Sequence, residues 1–451
     1  MSTVCWHPIF VSALKNNPDS VRLSNWALPL LTITPLRVVV IFLLPFIAGG
    51  WSYFRSLHID WRVWLLILLF VLSSSVGLLV HTTTIYSVGL SCIVFLPLLF
   101  LLFSTPSILN SRPMYYAARA FIIILLIIDV LGLYFWIIYG GDEFGMAYGR
   151  HYEYVHGLAM INTYVLLWYV MKFFYGKMTM TDWCIASFIA LSWVCCQFGL
   201  GFVCLILTFV ILLLTARKFK VLLFSALLLA GAWLLLQTSH FTYERVNIMK
   251  FTQRSDVRKM VMFDRFASLL CNDPQVLFIG TGAGGYNGRV AQLLSGENDN
   301  FLNHYIGKVE PKYYKQDIYP LWNHLFVSQR KFTDGTRNMP FSSAVSIWAE
   351  NGLLFFLLFC YLWASQIRRL RQYRADRVAY NYLLALDIFM IISLVSHMWF
   401  ETSEFLVYIL IRHTVLSNIQ YKLIIMSRKN NIMSRRNSRN SRNAALQQGS
   451  V

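Results

Sequence analysis

Long apolar runs separated by shorter polar segments dominate the pattern along the chain. The runs are rich in Leu, Ile, Val and Phe and about 17–22 residues long, which suits helices that cross a bilayer rather than barrel strands. We predict membrane spans at residues 34–54, 63–81, 85–103, 120–139, 157–175, 183–198, 200–215, 221–238, 343–364, 379–397 and 404–421. The predicted fold class is an all-α polytopic membrane protein with about 11–12 transmembrane helices and one large, partly helical outer loop.

The polar segments between the runs alternate in charge. Basic residues cluster in every second segment, as at residues 217–220 and 368–377, and in the tail after Lys422. The positive-inside rule predicts that these segments and the C-terminus are cytoplasmic and that the intervening loops lie on the opposite side. Pro35 and Arg37 interrupt the first apolar run, so two alternatives stay open. These are eleven spans with the N-terminus outside, or twelve spans with both ends inside.

This pattern divides the chain into four regions. Residues 1–238 form an N-terminal transmembrane bundle of about eight spans, and residues 239–342 form the large outer loop. Residues 343–421 contribute about three C-terminal spans, and residues 422–451 form a basic, disordered cytoplasmic tail.

Composition supports a membrane protein and excludes several other classes. The chain is 57% hydrophobic and only 13% charged, whereas a soluble domain has about 25% charged residues. The net charge of +18 comes largely from cytoplasmic segments and the tail, so no nucleic-acid partner is expected. The cysteine and histidine spacings match no zinc site, and we predict neither a metal site nor a disulfide framework.

The outer loop is unusually rich in arginine. Its seven arginines are Arg245, Arg254, Arg258, Arg265, Arg289, Arg330 and Arg337. Arginine is depleted on the non-cytoplasmic side, so its retention here indicates a use, and gripping an anion such as a phosphate is the natural one. Arg254, Arg258 and Arg265 are spaced for one helical face. The alternative is a solvated face paired with Asp256 and Asp264, of which Asp256 is also a candidate N-cap.

A glycine-rich segment, GTGAGGYNGR, occupies Gly280–Arg289. It lacks the spacing and the Lys-Ser/Thr of a nucleotide-binding loop. We therefore predict a turn that lets the backbone pass close to another element or offers its N–H groups to an anion.

Several ionisable residues fall inside or beside apolar runs. Glu350 lies about two turns into the run that follows the loop, where a carboxylate is costly unless paired, so it is a functional candidate. The alternative is a structural or interfacial role. For Arg412 we expect a structural pair with Glu404 or Asp387, with a direct role toward substrate as the alternative. His324, a lone loop histidine, is a second candidate for chemistry.

The order of three motifs carries a family resemblance. An arginine-bearing helix, then P-x-x-x-F-I-G-T-G-A-G-G-Y, then A-E-N-G-L at the start of a span, resembles the O-antigen polymerase/O-antigen ligase family of bacterial surface-polysaccharide assembly. Arg150, in the outer loop before a span, also matches. The ligases of that family carry a His-Asn pair where this chain has Phe341 and Ser342, which favours a polymerase. A ligase acting on lipid A core and a lipid-linked oligosaccharide transporter or flippase are the alternatives.

The resemblance implies a reaction and a setting. A polymerase of this family transfers a growing glycan from undecaprenyl diphosphate to a new lipid-linked repeat at the outer face of the bacterial inner membrane, without a cofactor. Its partners would be that lipid-linked oligosaccharide, membrane lipid, a chain-length regulator and a flippase, and the large loop would be periplasmic. The candidate diphosphate-binding residues are Arg150, Arg254, Arg258, Arg265 and Arg289. Glu350 and His324 are the candidate catalytic bases.

Overall fold

The computed structural model describes seven long segments of the chain and a few residues between them. These are residues 57–105, 122–123, 125–127, 129–130, 153–196, 198–216, 257–295, 306–323, 339–402 and 404–420. The predicted spans at 34–54 and 221–238 and the tail at 422–451 lie outside the described residues.

The described segments are mainly helical. In chain order the helices are α1 (Trp61–Leu79), α2 (Ile85–Phe103), α3 (Glu153–Tyr175), α4 (Met180–Cys195), α5 (Gly199–Ala216), α6 (Arg258–Asn272), α7 (Pro274–Phe278), α8 (Arg289–Leu294), α9 (Tyr319–Trp322), α10 (Ser343–Arg369), α11 (Arg377–Ser396) and α12 (404–420). A π-helical turn, Tyr314–Ile318, precedes α9, and a 3₁₀ turn, Leu370–Tyr373, follows α10. Two short strands, β1 (His58–Ile59) and β2 (Ser104–Thr105), pair antiparallel, with His58 opposite Thr105.

Five of the described helices are long and apolar enough to cross a membrane: α1, α2, α3, α10 and α11. Helices α4 and α5 are apolar but shorter. The first helix keeps large apolar side chains exposed, including Trp61, Trp64 and Leu68. Such a face suits lipid and is poorly suited to water. The helices therefore indicate a membrane protein, as the sequence predicted.

Local signals explain where the first hairpin of spans begins and turns. The side chain of Asp60 accepts the N–H of Arg62 and caps α1. The Thr84 hydroxyl accepts the N–H of Ser87 and caps α2. Between them, His81 adopts a positive φ of 59°. A side-chain oxygen at each N-cap satisfies backbone donors that the helix leaves without a partner.

The spans pack around one large apolar core. Helix α10 packs against α1 and α11, and α11 packs in turn against α3 and α5. Aromatic rings join distant parts of the chain, since the ring of Phe95 lies 6.1 Å from that of Phe355 and 4.9 Å from that of Phe400. Such offset ring pairs add to the stabilisation from burial alone.

A buried ion pair joins two helices of the bundle. The Nε atom of Arg412 in α12 lies 3.1 Å from Oδ1 of Asp387 in α11, and both side chains are buried. The hydroxyl of Tyr408 also donates to this carboxylate. The predicted structural pairing of Arg412 is therefore confirmed, with Asp387 as the partner.

Helix α10 is broken in its N-terminal half. Gly352 has φ 80° and ψ 172°, so the helix consists of two segments that meet at this residue. Only glycine adopts this backbone region without strain. The break lies next to Glu350, so it bears directly on the candidate site.

The described part of the outer loop builds its own small core on the start of α10. Met262 of α6, Trp322 of α9 and Phe341 belong to one buried cluster with Val345 of α10. The predicted arginine helix exists as α6, and Asp273 ends it and caps α7 through the N–H groups of Gln275 and Val276. Asp256, the predicted cap, lies outside the described residues. Val257, which is buried, takes the N-cap position and makes no side-chain cap bond.

Candidate functional site

The glycine-rich loop, residues 280–288, binds the carboxylate of Glu350. Glu350 Oε2 accepts the N–H of Gly284 at 2.8 Å, and Oε1 accepts the N–H groups of Gly288 at 2.8 Å, Asn287 at 3.1 Å and Tyr286 at 3.3 Å. Glu350 is only 3% exposed. A buried carboxylate needs donors, and successive backbone N–H groups form a nest that supplies them.

Glycine is required where this loop passes the break in α10. A Cβ at Gly352 would lie 2.3 Å from the carbonyl oxygen of Phe278, and a Cβ at Gly280 would lie 2.5 Å from that of Glu350. The close approach allows the N–H of Thr281 to reach the Ala349 carbonyl at 2.8 Å, and that of Gly282 to reach the Glu350 carbonyl at 3.0 Å. The loop is thus fixed to α10 through both backbone and carboxylate.

The same loop also contacts the first hairpin of spans. The hydroxyls of Thr82 and Thr83 donate to the carbonyls of Thr281 and Ala283, each at 2.7 Å. At Gly77 of α1, a Cβ would lie 2.5 Å from the Thr281 carbonyl oxygen. The loop therefore sits where α1, α2 and α10 meet.

A second carboxylate holds the end of the loop. Glu401, in the link between α11 and α12, is 8% exposed and accepts the backbone N–H of Arg289. Burial, and secondly the nearby charge of Glu350, raises the pKa of Glu401 from 4.5 to about 8. Near neutral pH, Glu401 therefore largely retains its proton. No sequence motif assigned a role to Glu401. Its position next to a span was the available signal.

Two of the predicted arginines connect separate segments of the outer loop through hydrogen bonds to backbone carbonyls. Arg258 is 2% exposed, and its Nη1 donates to the Leu321 carbonyl at 3.3 Å. Arg265 is half-buried, and its Nη1 donates to the Asp317 carbonyl at 2.5 Å. Both guanidinium groups tie α6 to the segment around α9. An anion-binding role for them stays a prediction, beside this structural one.

Arg289 differs from these two because it directly follows the glycine-rich loop. Its side chain is half-buried, and its Nη1 donates to Oε1 of Gln292 at 2.8 Å. Two carboxylates fix its backbone surroundings, Glu350 through Gly288 and Glu401 through the N–H of Arg289 itself. Among the arginines that the structure describes, it is the one held at the docked loop.

The remaining predicted site residues are the catalytic candidates Glu350 and His324 and the diphosphate ligands Arg150 and Arg254. Arg150, Arg254 and His324 lie outside the described residues. The four backbone bonds to Glu350 favour the structural alternative for this residue, since they occupy the acceptor sites that a general base would need. At the positions that match the His-Asn pair of the ligases, Phe341 is buried and Ser342 caps α10.

Comparison of the chain with protein-family models, with curated proteins and with solved structures found no match. Within the described segments, no group of three or more His, Cys, Asp and Glu side chains has an arrangement that could hold a metal ion. The family and the activity that the sequence motifs imply therefore stay predictions.

Proposed function

We propose that the protein is a membrane glycosyltransferase that polymerises lipid-linked oligosaccharide repeat units. The growing glycan would pass from undecaprenyl diphosphate to a new lipid-linked repeat at the outer face of the bacterial inner membrane. The observation that carries the proposal is the docking of the glycine-rich loop on Glu350, which holds Arg289 beside the membrane helices. A lipid diphosphate needs a cation at that position, close to the bilayer.

The reaction explains why arginine rather than lysine is used. A new bond forms between the acceptor hydroxyl oxygen and the anomeric carbon, while the bond from that carbon to the diphosphate oxygen breaks. The diphosphate leaves with the electron pair, and the acceptor proton passes to a base. Arginine stays charged at any relevant pH and presents a planar fork to phosphate oxygens, so it stabilises the departing charge.

Two residues are candidates for the base that accepts the proton. Glu350 would have to give up backbone hydrogen bonds before it could accept a proton, which also loosens the loop. His324 keeps its place as a candidate, and Arg150 and Arg254 keep theirs as diphosphate ligands. None of these assignments changes the central role given to Arg289.

The two alternatives have less support. A ligase would require a histidine near the start of α10, where Phe341 is instead buried against Trp322, with 5.5 Å between ring centroids. A transporter of this kind typically has paired broken helices near the membrane midplane. Among the described helices, α10 alone has a non-helical residue inside it, and that break serves the loop contact.

The test is a complementation experiment in a strain that lacks the gene. Lipid-linked glycans and surface polysaccharide are extracted from cells carrying wild type, Arg289→Ala or Arg371→Ala. Arg371 is an exposed arginine at the predicted cytoplasmic side and serves as the matched control. We expect single repeats in the deletion strain, a polymer ladder with wild type and Arg371→Ala, and no ladder with Arg289→Ala.

Two results would count against the proposal. Long polymer that persists on the lipid carrier but fails to reach its acceptor would indicate a ligase. Repeat units that stay on the cytoplasmic face would indicate a flippase. Membrane levels of each variant are measured by immunoblot, so that loss of the protein is not mistaken for loss of activity.

A further inference from the structure

Several polar side-chain atoms of the glycine-rich loop and α8 are buried without a hydrogen-bond partner in the described segments. Asn287 is fully buried, yet in the part of the chain that the structure describes neither its Nδ2 nor its Oδ1 has a hydrogen-bond partner. Gln292 is 1% exposed, and there its Nε2 is likewise without a partner. Buried polar atoms in folded proteins nearly always have a hydrogen-bond partner, so each of these atoms needs an explanation.

The backbone of Asn287 is not free to move toward a partner. Its N–H is bound to Glu350, and the neighbouring N–H groups of Tyr286 and Gly288 are bound to the same carboxylate. The loop therefore fixes the Asn287 backbone, while in the described segments the side-chain donor and acceptor both lack a hydrogen-bond partner. Preorganised polar groups of this kind are typical of binding sites, because the protein bears their desolvation cost in advance.

The donor and acceptor atoms without a partner indicate which kind of ligand could bind them. A bare anion would use the donors but would meet the Asn287 Oδ1 acceptor, and a cation would meet the Nδ2 donor. A hydroxyl group both donates and accepts, so a ligand with several hydroxyls matches the Asn287 amide. Gln292 adds a further donor, and its Oε1 is bound to Arg289.

We propose that Asn287 and Gln292 bind saccharide hydroxyl groups next to Arg289. This inference rests on the proposed function, because it assumes that Arg289 binds the diphosphate of a lipid-linked glycan. Residues two positions apart are at most about 7 Å apart between Cα atoms, which is the scale of one sugar ring. The first sugar of the donor is joined directly to the diphosphate, so its hydroxyls would lie within reach of both amides.

The inference makes opposite predictions for stability and for binding. A buried side-chain amide that makes no hydrogen bond can be replaced with an apolar side chain of similar size without the loss of a hydrogen bond in the unliganded protein. Asn287→Leu should therefore leave the melting temperature unchanged or raise it. Asn162→Leu is the matched control, since the buried amide of Asn162 donates to Asp129 at 3.1 Å and to Ser192 at 3.3 Å. This second change should lower the melting temperature.

Binding is measured on the full-length protein in lipid nanodiscs with two probes. One is undecaprenyl diphosphate alone, and the other is the lipid-linked repeat unit extracted from the deletion strain. We expect Asn287→Leu to weaken binding of the repeat unit about tenfold or more, as the loss of two hydrogen bonds implies, and to leave binding of the bare carrier unchanged. Gln292→Leu should act in the same direction.

The outcomes separate the two proposals. If wild type binds neither probe, the proposed function fails and the saccharide site fails with it. If wild type and Asn287→Leu bind the repeat unit equally, only the saccharide site fails. A fall in melting temperature for Asn287→Leu as large as that for Asn162→Leu would assign Asn287 a structural role and overturn the inference.

Discussion

The carboxylate of Glu350 and the backbone N–H of Gly288 lie 2.8 Å apart, although the two residues are 62 positions apart in the chain. This contact joins a membrane helix to the outer loop at a buried point. The loop would otherwise place several N–H groups against protein without an acceptor, and the helix would bury a charge without a donor. The loop therefore supplies hydrogen-bond donors to the carboxylate, and the carboxylate supplies acceptors to the loop.

Replacing Glu350 with Gln should release the loop. The amide would offer one acceptor oxygen and direct a donor at N–H groups that are themselves donors, so we expect a loss of at least about 2 kcal/mol in the free energy of unfolding. Hydrogen exchange should speed up at the amides of Gly284 and Gly288. Asp264→Asn, at an exposed carboxylate of α6, serves as the control. Unchanged exchange at these amides would rule out the anchoring role.

Gly352→Ala should undock the loop from the broken helix. The backbone region at φ 80° and ψ 172° is strained by about 1–3 kcal/mol for other residues, and the new methyl would meet the Phe278 carbonyl. Gly89→Ala is the matched control, because no atom lies within 4 Å of a Cβ at Gly89. In a helix that change should be neutral or stabilising by up to about 1 kcal/mol. Equal melting temperatures for the two variants would contradict this assignment.

Protonation of Glu401 should make stability depend on pH. Its pKa rises from 4.5 in the unfolded chain to about 8 in the folded protein, so the folded state holds a proton that the unfolded state releases. This stabilisation is complete below about pH 4.5 and is lost as the pH rises through about 8. Melting temperatures across this range should fall more steeply for wild type than for Glu401→Gln. A decline of equal size in the variant would assign the proton to another group.

The buried pair of Asp387 and Arg412 should show strong coupling between its two members. Changing either one alone to Leu leaves an uncompensated charge between two helices, which we expect to cost about 3–5 kcal/mol. Changing both to Leu should restore most of that loss. A double-mutant cycle, measured by detergent-titrated unfolding in bicelles, gives the coupling free energy. Additive losses in the double variant would show that the pair is not coupled.

The long spans could be predicted from the sequence because lipid leaves the chain few choices. Residues 85–103 were predicted as a span, and α2 has the same limits; α11, Arg377–Ser396, lies within two residues of the prediction. In a bilayer every backbone group must be satisfied within the element, so length and apolarity are enough to identify a helix. The break at Gly352 was not predicted, because it depends on a contact with Phe278 from another region.

The candidate site was predicted only in pieces. The sequence indicated separately that the glycine-rich loop would offer N–H groups to an anion and that Glu350 needed a partner. It did not indicate that the loop N–H groups bind the Glu350 carboxylate, because this contact depends on how the loop packs against α10. No sequence motif pointed to Glu401. Its burial next to Glu350, which gives it a raised pKa, is a property of the folded chain.

The hydrogen bonds of the glycine-rich loop to Thr82 and Thr83 bear on how the protein is made. They join residues 199 and 200 positions apart, and the bond from Ser73 to the Glu350 carbonyl spans 277 positions. The first hairpin of spans leaves the ribosome long before the segments that complete its outer end. These hydroxyls must therefore be satisfied by water or lipid headgroups during synthesis, and the outer end of the hairpin closes only after α10 has been made.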